Sequence, residues 1–297
     1  MKKKNRTHIL VDGNNLMYRA HNTHEKFRYK GKPTSILYGV PSIISGMARE
    51  YPGAEIVVFF DGYKHYKRQQ LMNNLYKAQR KEKKLNSTYD QMMSQQHHLK
   101  VLLQHLGMDV VHNIKYEADD LIYLYQKKLR DEGYEHILIV SSDKDFHQLI
   151  SKYVKVYHSV RGLLNAKKVK EIYGYSPRET VAYLSLTGDT SDNIKGVGGI
   201  GPSKARSILD EIIRAEEKPN SLFKNPPEVI TPEKHRILKL NRVLIDLKLF
   251  HKKYGYTPVW DEIVMKGKFA LGKYLAMCET YGLKRFSAPQ FYKAFEK

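Results

Sequence analysis

Three short apolar runs punctuate the first half of the chain. Residues 8–12 read His-Ile-Leu-Val-Asp, residues 55–62 read Glu-Ile-Val-Val-Phe-Phe-Asp-Gly, and residues 136–143 read His-Ile-Leu-Ile-Val-Ser-Ser-Asp. Continuous apolar runs of this length suit strands buried on both faces of a parallel sheet. Helical spacing lies between and after them, near 36–50, 88–106 and 118–132. It is clearest in the last, where Leu121, Ile122, Leu124, Tyr125 and Leu129 recur three and four apart. Strand and helix patterns that alternate in this way predict an α/β class. Gly13-Asn14-Asn15 reads as a turn after the first strand. Residues 218–232, with four prolines and few apolar positions, read as a linker or long loop. An amphipathic helix follows, carrying Ile237, Leu238, Leu240, Val243, Leu244 and Leu247. No internal repeat or low-complexity tract interrupts the chain, and the tail from 264 is basic and aromatic without a legible role.

In α/β folds functional groups gather beyond the carboxyl ends of the strands. Asp12, Asp61 and Asp143 each end a predicted strand there, and Asp145 follows two residues on. One such Asp means little, because Asp is common in turns. The stretch Tyr116-Glu117-Ala118-Asp119-Asp120 adds three carboxylates at the start of the third helical pattern. Glu117 and Asp120 share a face of its first turn. Two explanations are open from this stretch alone. The positive end of a helix stabilises acids by roughly 0.3–1 kcal/mol each. Alternatively, hard divalent cations hold them, since Mg²⁺ prefers carboxylate and water oxygens. Six carboxylates at one sheet edge favour the cation.

Charge changes the picture further. The 297 residues are 41% hydrophobic, enough for one large domain or two modest ones, and carry a net charge of +20. Such an excess points to a polyanionic partner, nucleic acid or an anionic membrane surface. No apolar run approaches the roughly 18 residues of a membrane span, and Ile9-Leu10-Val11 is too short for a signal-peptide core. The single cysteine, Cys278, excludes an internal disulfide, fits a reducing cytosol and reads as a small core residue.

Residues 63–84 hold eight Lys or Arg against one acid, with Tyr63, Tyr66 and Tyr76 interleaved. A solvated basic helix is the plain explanation of such a run. Its place directly after Asp61 suits a phosphodiester lying across both, with cations on the backbone and aromatic faces on bases. His97 and His98 are adjacent on a predicted helix, point apart and do not make a metal pair. Further on, residues 188–205 read Gly-Asp-Thr-Ser-Asp-Asn-Ile-Lys-Gly-Val-Gly-Gly-Ile-Gly-Pro-Ser-Lys-Ala. Gly196, Gly198 and Gly201 match G-x-G-x-x-G, but no apolar strand precedes them, so a dinucleotide site is not expected. A turn between two helices fits better, its glycines letting backbone N–H groups approach a phosphate. Pro202 suits the first turn of the second helix. Asp189 and Asp192 add two acids.

Taken in order, Val-Asp-Gly-Asn-Asn (11–15), Phe-Phe-Asp-Gly (59–62), Tyr-Lys-Ala-Gln-Arg (76–80), Tyr-Glu-Ala-Asp-Asp (116–120), Ser-Ser-Asp-Lys-Asp (141–145), Gly-Asp-Thr-Ser-Asp-Asn (188–193) and Gly-Val-Gly-Gly-Ile-Gly-Pro (196–202) resemble the structure-specific 5′-nuclease family. That family includes flap endonucleases, the 5′-nuclease domains of bacterial DNA polymerases and small stand-alone phage enzymes, among them those called phage ribonuclease H. The resemblance covers roughly residues 7–250, and the chain looks most like the phage enzymes.

The resemblance implies an α/β, PIN-like core with a mainly parallel sheet at 1–175, and a helical DNA-binding region at 176–297. It implies a basic arch or clamp at about 63–95 and a helix-three-turn-helix motif at about 185–215. Asp12, Asp61, Glu117, Asp119, Asp120, Asp143, Asp145, Asp189 and Asp192 match the family's acidic site, which holds two Mg²⁺ or Mn²⁺ ions. By the same match, Lys77 and Arg80 reach the scissile phosphate and Tyr76 stacks on a base. DNA contacts are implied for Arg68, Lys81, Lys83, Lys84, Gly196, Gly198, Gly199, Gly201, Ser203 and Lys204, with K⁺ a candidate ion at the helix-three-turn-helix. Gln79 stands where many relatives carry Asn. Ser203 stands where relatives usually carry Lys, with Lys204 one place later, which weakens the side-chain half of that phosphate contact.

The expected activity is metal-assisted hydrolysis of phosphodiesters near 5′ ends, with Asp119, Asp120, Asp12 and Asp143 as the most direct ligands. The expected partners are DNA with flaps, nicks or RNA primers and replication proteins such as a single-strand-binding protein or clamp. The expected setting is a monomer, without a membrane, in the bacterial cytosol or an infected host's. Two alternatives differ in class: a PIN-type ribonuclease of single-stranded RNA, which would lack the 188–205 segment, and a catalytically silent DNA-binding protein, which would have lost acids.

Overall fold

The computed structural model describes residues 4–62, 66–73, 75–77, 87–255 and 257–296. The chain divides into two compact units, each discontinuous in sequence. The first comprises residues 1–64, 82–142 and 258–297, and the second residues 65–81 and 143–257. This division interleaves the segments 1–175 and 176–297: the C-terminal tail folds with the first unit.

In the first unit the three apolar runs become strands Lys4–Asp12, Glu55–Phe60 and Tyr134–Val140. Lys4–Asp12 lies between the other two and pairs with both in parallel, bringing Asp12 opposite Phe59 and Val11 opposite Val140. Asp109–His112 adds a fourth parallel strand beside Glu55–Phe60, and Val264–Met265 closes that edge antiparallel. Ile9, Leu10, Val11, Val57, Val58, Phe59 and Phe60 have no exposed surface, as expected of strands covered on both faces.

Two local expectations change. Gly13-Asn14-Asn15 is not a turn but the start of helix Gly13–His24, capped by Asp12, whose Oδ1 accepts from the Asn15 N–H at 3.0 Å. A side chain at Gly13 would place its Cβ 2.7 Å from the Phe59 carbonyl oxygen, so only glycine lets the helix leave the strand this closely. The helical pattern at 88–106 is split into Ser87–Met93 and Gln96–His105. Gln95 at the break is buried, and its Oε1 accepts from the Ile36 N–H at 3.1 Å, satisfying an N-terminal donor of helix Ser35–Glu50.

The tail fills out the same unit. Tyr274, Cys278, Phe286, Phe291 and Phe295 are buried, which confirms Cys278 as a core residue.

The second unit is mainly helical. A 3₁₀ segment, Lys144–Leu149, leads to the antiparallel pair Val154–His158 and Gly162–Leu164. Helices Thr180–Thr187 and Pro202–Arg214 flank the glycine-rich stretch, in which Gly188–Asp189 and Ile194–Lys195 pair as a minimal hairpin. Residues 218–232 are more than a linker. They include a 3₁₀ turn, Pro219–Phe223, and Leu222, Phe223 and Ile230 pack into a core with Ala182, Leu186, Ile208, Leu209 and Leu238. Helix Pro232–Ile245 follows, then Leu247–Tyr254. Among the described residues, no helix is long and apolar enough to cross a membrane.

Candidate active site

The nine acids are shared between the units: Asp12, Asp61, Glu117, Asp119 and Asp120 belong to the first, Asp143, Asp145, Asp189 and Asp192 to the second. In the first unit, side chains at the carboxyl ends of the strands are tied together by hydrogen bonds. Ser141 Oγ donates to Asp12 Oδ2 at 2.8 Å, and the Ser142 N–H to Asn15 Oδ1 at 3.1 Å. The Asp61 N–H donates to Asn14 Oδ1 at 3.0 Å, and Asp61 Oδ1 accepts from the Ala118 N–H at 2.9 Å. Asp61 thus caps the first turn of helix Ala118–Asp131 from another element. Ala118 is buried, and a small residue there lets that helix start against the strand end. Within the helix start, Glu117 and Asp120 form a capping box, with the Glu117 N–H donating to Asp120 Oδ2 at 3.3 Å. The helix-terminus explanation is therefore realised in the structure for Glu117 and Asp120, and Asp119, which is half-buried, lies in the same first turn. Asn14 and Asn15 belong to this lattice, and their turn-like composition concealed them.

In the second unit, Asp143, Asp145 and Asp189 bring one carboxylate oxygen each to within 4.8 Å of one another. Asp143 caps the 3₁₀ segment, its Oδ1 accepting from the Asp145 N–H at 2.8 Å. Asp189 Oδ1 accepts from both the N–H and the Oγ of Ser191, each at 2.7 Å. Asp145 is 8% exposed, and its Oδ1 is buried without a hydrogen-bond partner among the described residues. Burial, then the charges of Asp192 and Asp189, push the Asp143 carboxyl up to about 6, against the pull of the Asp145 N–H and Lys77. Burial, then Asp143, Asp192 and Asp189, hold Asp145 well above the usual carboxylate range. Acids crowded and desolvated in this way, with a buried oxygen left over, fit a hard divalent cation, which supplies the missing partner and offsets the repulsion.

Asp192 is used differently. Its Oδ2 accepts from Tyr76 Oη at 2.8 Å and lies 3.5 Å from Lys77 Nζ, and its carbonyl accepts from the Lys77 N–H at 3.0 Å. Tyr76 is 3% exposed and packs with Leu184, Ile194, Leu244 and Ile245. Arg68 is covered as well. It is 4% exposed, lies 3.8 Å over the Phe250 ring and donates from Nε to the Leu244 carbonyl at 3.4 Å. Arg80, Lys81, Lys83 and Lys84 lie outside the described residues.

In the glycine-rich turn, Gly196 is required by packing: a Cβ there would sit 2.5 Å from the Thr187 carbonyl oxygen. Gly198 and Gly201 face open space, and Gly199 has φ +76°. Gly198, Gly199, Gly201, Ser203 and Lys204 are exposed. Lys234, from the first turn of helix Pro232–Ile245, brings Nζ to 3.8 Å from where a Gly199 Cβ would be. A cation thus stands at this turn although Ser203 supplies none. Nothing local in the sequence signals it, since Lys234 is 35 positions beyond Gly199.

Comparison with known proteins now places the chain. Residues 7–174 match the family described as 5′-3′ exonuclease, N-terminal resolvase-like domain. The chain is 33% identical over 234 residues to the 5′-3′ exonuclease of Buchnera aphidicola subsp. Baizongia pistaciae, covering 78% of this chain and 75% of that protein. It is 34% identical over 206 residues to DNA polymerase I of Deinococcus radiodurans, covering 69% of this chain but spanning only 21% of the polymerase. Its fold is similar to that of the bacteriophage T5 D15 flap endonuclease, solved as a pseudo-enzyme-product complex with DNA and metal ions. That match has a TM-score of 0.65 at 19% identity and covers 98% of this chain and all of that one. With more than half of its length matched and a relative of similar size one-third identical, the chain belongs to the 5′-3′ exonuclease family and is a nuclease.

Proposed function

We propose that this nuclease is a divalent-metal-dependent 5′→3′ exonuclease and flap endonuclease, hydrolysing phosphodiester bonds near 5′ ends of flapped or nicked DNA and of RNA primers. The observation that carries the metal dependence is the buried, unpartnered Asp145 oxygen within the Asp143–Asp145–Asp189 group. That group would hold one Mg²⁺ or Mn²⁺, and Asp12, Asp61, Glu117, Asp119 and Asp120 the second. Divalent cations supply an acidified water as nucleophile and stabilise the departing 3′-oxygen.

The chain's own groups do the rest. Asp192 is matched by Lys77, so the cation-binding load falls on its three neighbours. Lys77 and Arg80 would stabilise charge developing on the phosphate. The exposed glycines Gly198, Gly199 and Gly201, with Lys204 and Lys234, would grip a duplex backbone as a helix-three-turn-helix, with K⁺ a candidate bridging ion. Because Asp189 joins Asp143 and Asp145, residues 176–297 contribute to catalysis as well as to DNA binding. The T5 complex with DNA and metal ions supports both halves of this proposal. The net charge of +20 makes binding steeply salt-dependent. In this reading the protein works as a monomer in the bacterial cytosol, beside a single-strand-binding protein or clamp.

A cleavage assay on 5′-flap, nicked, blunt-duplex and RNA-primed substrates, with Mg²⁺ and with chelator, tests the proposal. Flapped and nicked substrates should be cut only with the metal, leaving 5′-phosphates and 3′-hydroxyls. Cleavage that persists in chelator overturns the metal dependence. Cutting confined to single-stranded RNA points instead to the PIN-type ribonuclease, and binding without cleavage to a silent DNA-binding protein.

A further inference from the structure

The three carboxylates of the second unit come from two separate pieces of chain. Asp143 and Asp145 sit on the 3₁₀ segment Lys144–Leu149 and its cap, while Asp189 sits on the hairpin after helix Thr180–Thr187. Like charges push these pieces apart, yet a cation needs their oxygens held to a few tenths of an ångström. Helix Pro232–Ile245 and its junction with the next helix, Leu247–Tyr254, touch both pieces, and two side-chain amides make the connections.

Gln148 lies three residues after Asp145. Its Nε2 donates to the Asp145 carbonyl at 2.8 Å and to the Ile245 carbonyl at 3.0 Å, while its Oε1 accepts from the Leu247 N–H at 3.1 Å. It therefore serves a carbonyl at the end of one helix and a donor at the start of the next, groups that lack partners within their own helices. In doing so it binds the Asp143–Asp145 turn to that junction. Asn241, one helical turn earlier and 3% exposed, spends both Nδ2 hydrogens on the other piece. They go to the Ser185 carbonyl at 2.9 Å and the Lys195 carbonyl at 2.8 Å, the two flanks of the hairpin that carries Asp189. Ile194, which pairs with Asp189 in that hairpin, packs against Leu244 and Ile245 of the same helix.

A neutral amide meets these demands without adding a charge. Two carbonyls must receive donors at each position, and a carboxylate would add repulsion beside four acids. We propose that Gln148 and Asn241 are positioning residues that set the affinity of the Asp143–Asp145–Asp189 group for a divalent cation, using helix Pro232–Ile245 as the brace. The inference rests on reading that group as a cation site. Hydrogen-bond partners of the ligating side chains themselves are worth about 10- to 100-fold in affinity, and Gln148 and Asn241 act one step further out, through the backbone that carries the acids.

The test is calorimetric titration of Mn²⁺ into the full chain, comparing wild type, Gln148→Met, Asn241→Leu and Asp145→Asn. Flap-DNA affinity in chelator and the thermal unfolding midpoint are measured on each. Gln148→Met and Asn241→Leu should weaken Mn²⁺ binding by up to about tenfold, the lower end of the range for partners of the ligands themselves, and leave DNA affinity in chelator within about twofold. Raising Mg²⁺ should restore their cleavage. Mn²⁺ affinity equal to wild type in both, with Asp145→Asn weakened, overturns the positioning role and leaves the cation site standing. An unchanged Asp145→Asn sinks the cation site itself. Should Asn241→Leu fail to fold, the half-buried Gln148→Met decides the matter alone.

Discussion

Asp145→Asn is expected to abolish cleavage and, at the same time, to stabilise the metal-free protein. The loss of activity should be on the order of a thousandfold or more, about 4 kcal/mol in the barrier at 1.36 kcal/mol per tenfold. The gain in stability follows from burial. Asp145 is 8% exposed, has an oxygen without a partner among the described residues, and faces Asp143 and Asp189. An asparagine of the same shape carries no charge and can donate to either neighbour. The pH dependence has a definite sign. The folded-state pKa of Asp143 is raised to about 6, and burial and the neighbouring acids hold that of Asp145 well above its ordinary value. Such groups favour the folded state at low pH, and that contribution is lost as pH rises through the folded pKa. In chelator, the unfolding midpoint of Asp145→Asn should therefore exceed wild type most at pH 8, with the gap closing towards pH 5. Each 1 kcal/mol corresponds to about 2–4 °C for a chain of this order of size. Mg²⁺ should raise the wild-type midpoint more than the variant's, which keeps only the second cation site. A variant that is active, or less stable than wild type across that range, contradicts the assignment.

Asp120→Asn separates the two explanations of the acidic helix start. Asp120 is 3% exposed and accepts from the Glu117 N–H at 3.3 Å. An asparagine keeps a carbonyl oxygen for that bond, so helix Ala118–Asp131 should start as before and thermal stability should stay near wild type. Asp120→Ala loses the acceptor and should cost about 1 kcal/mol. If the carboxylate also binds a cation, Asp120→Asn should lose cleavage by a similar thousandfold, again about 4 kcal/mol, while flap-DNA affinity in chelator is retained. Normal turnover by Asp120→Asn would mean that capping alone explains this acid.

Much of this architecture was legible because burial on both faces of a parallel sheet leaves an unmistakable trace. The runs at 8–12, 55–60 and 136–140 need no tertiary information to be read as strands, and the acids that follow them are close by in sequence. Elements that depend on distant partners were not legible. Helix Gly13–His24 begins with Gly-Asn-Asn, a turn by composition, because its cap comes from the preceding strand and its asparagines serve other loops. At the break, the Gln95 side chain ties the Gln91 carbonyl of the helix before it to Ser35 and Ile36 of a distant one. Tyr76 and Arg68 sit in a basic, aromatic stretch that reads as surface, yet both are covered by residues from 184 to 250. Asn241 lies in an amphipathic segment where a polar residue reads as solvent-facing, Gln148 lies in a stretch without a helical pattern, and only the fold shows the carbonyls they serve.

The claim on which the rest depends is that Asp143, Asp145 and Asp189 hold a divalent cation. An anomalous difference map from crystals of the wild-type chain soaked in Mn²⁺ tests it most directly. A peak bonded to oxygens of all three carboxylates is the predicted result. A soaked crystal with well-ordered Asp143, Asp145 and Asp189 and no peak among them would contradict it.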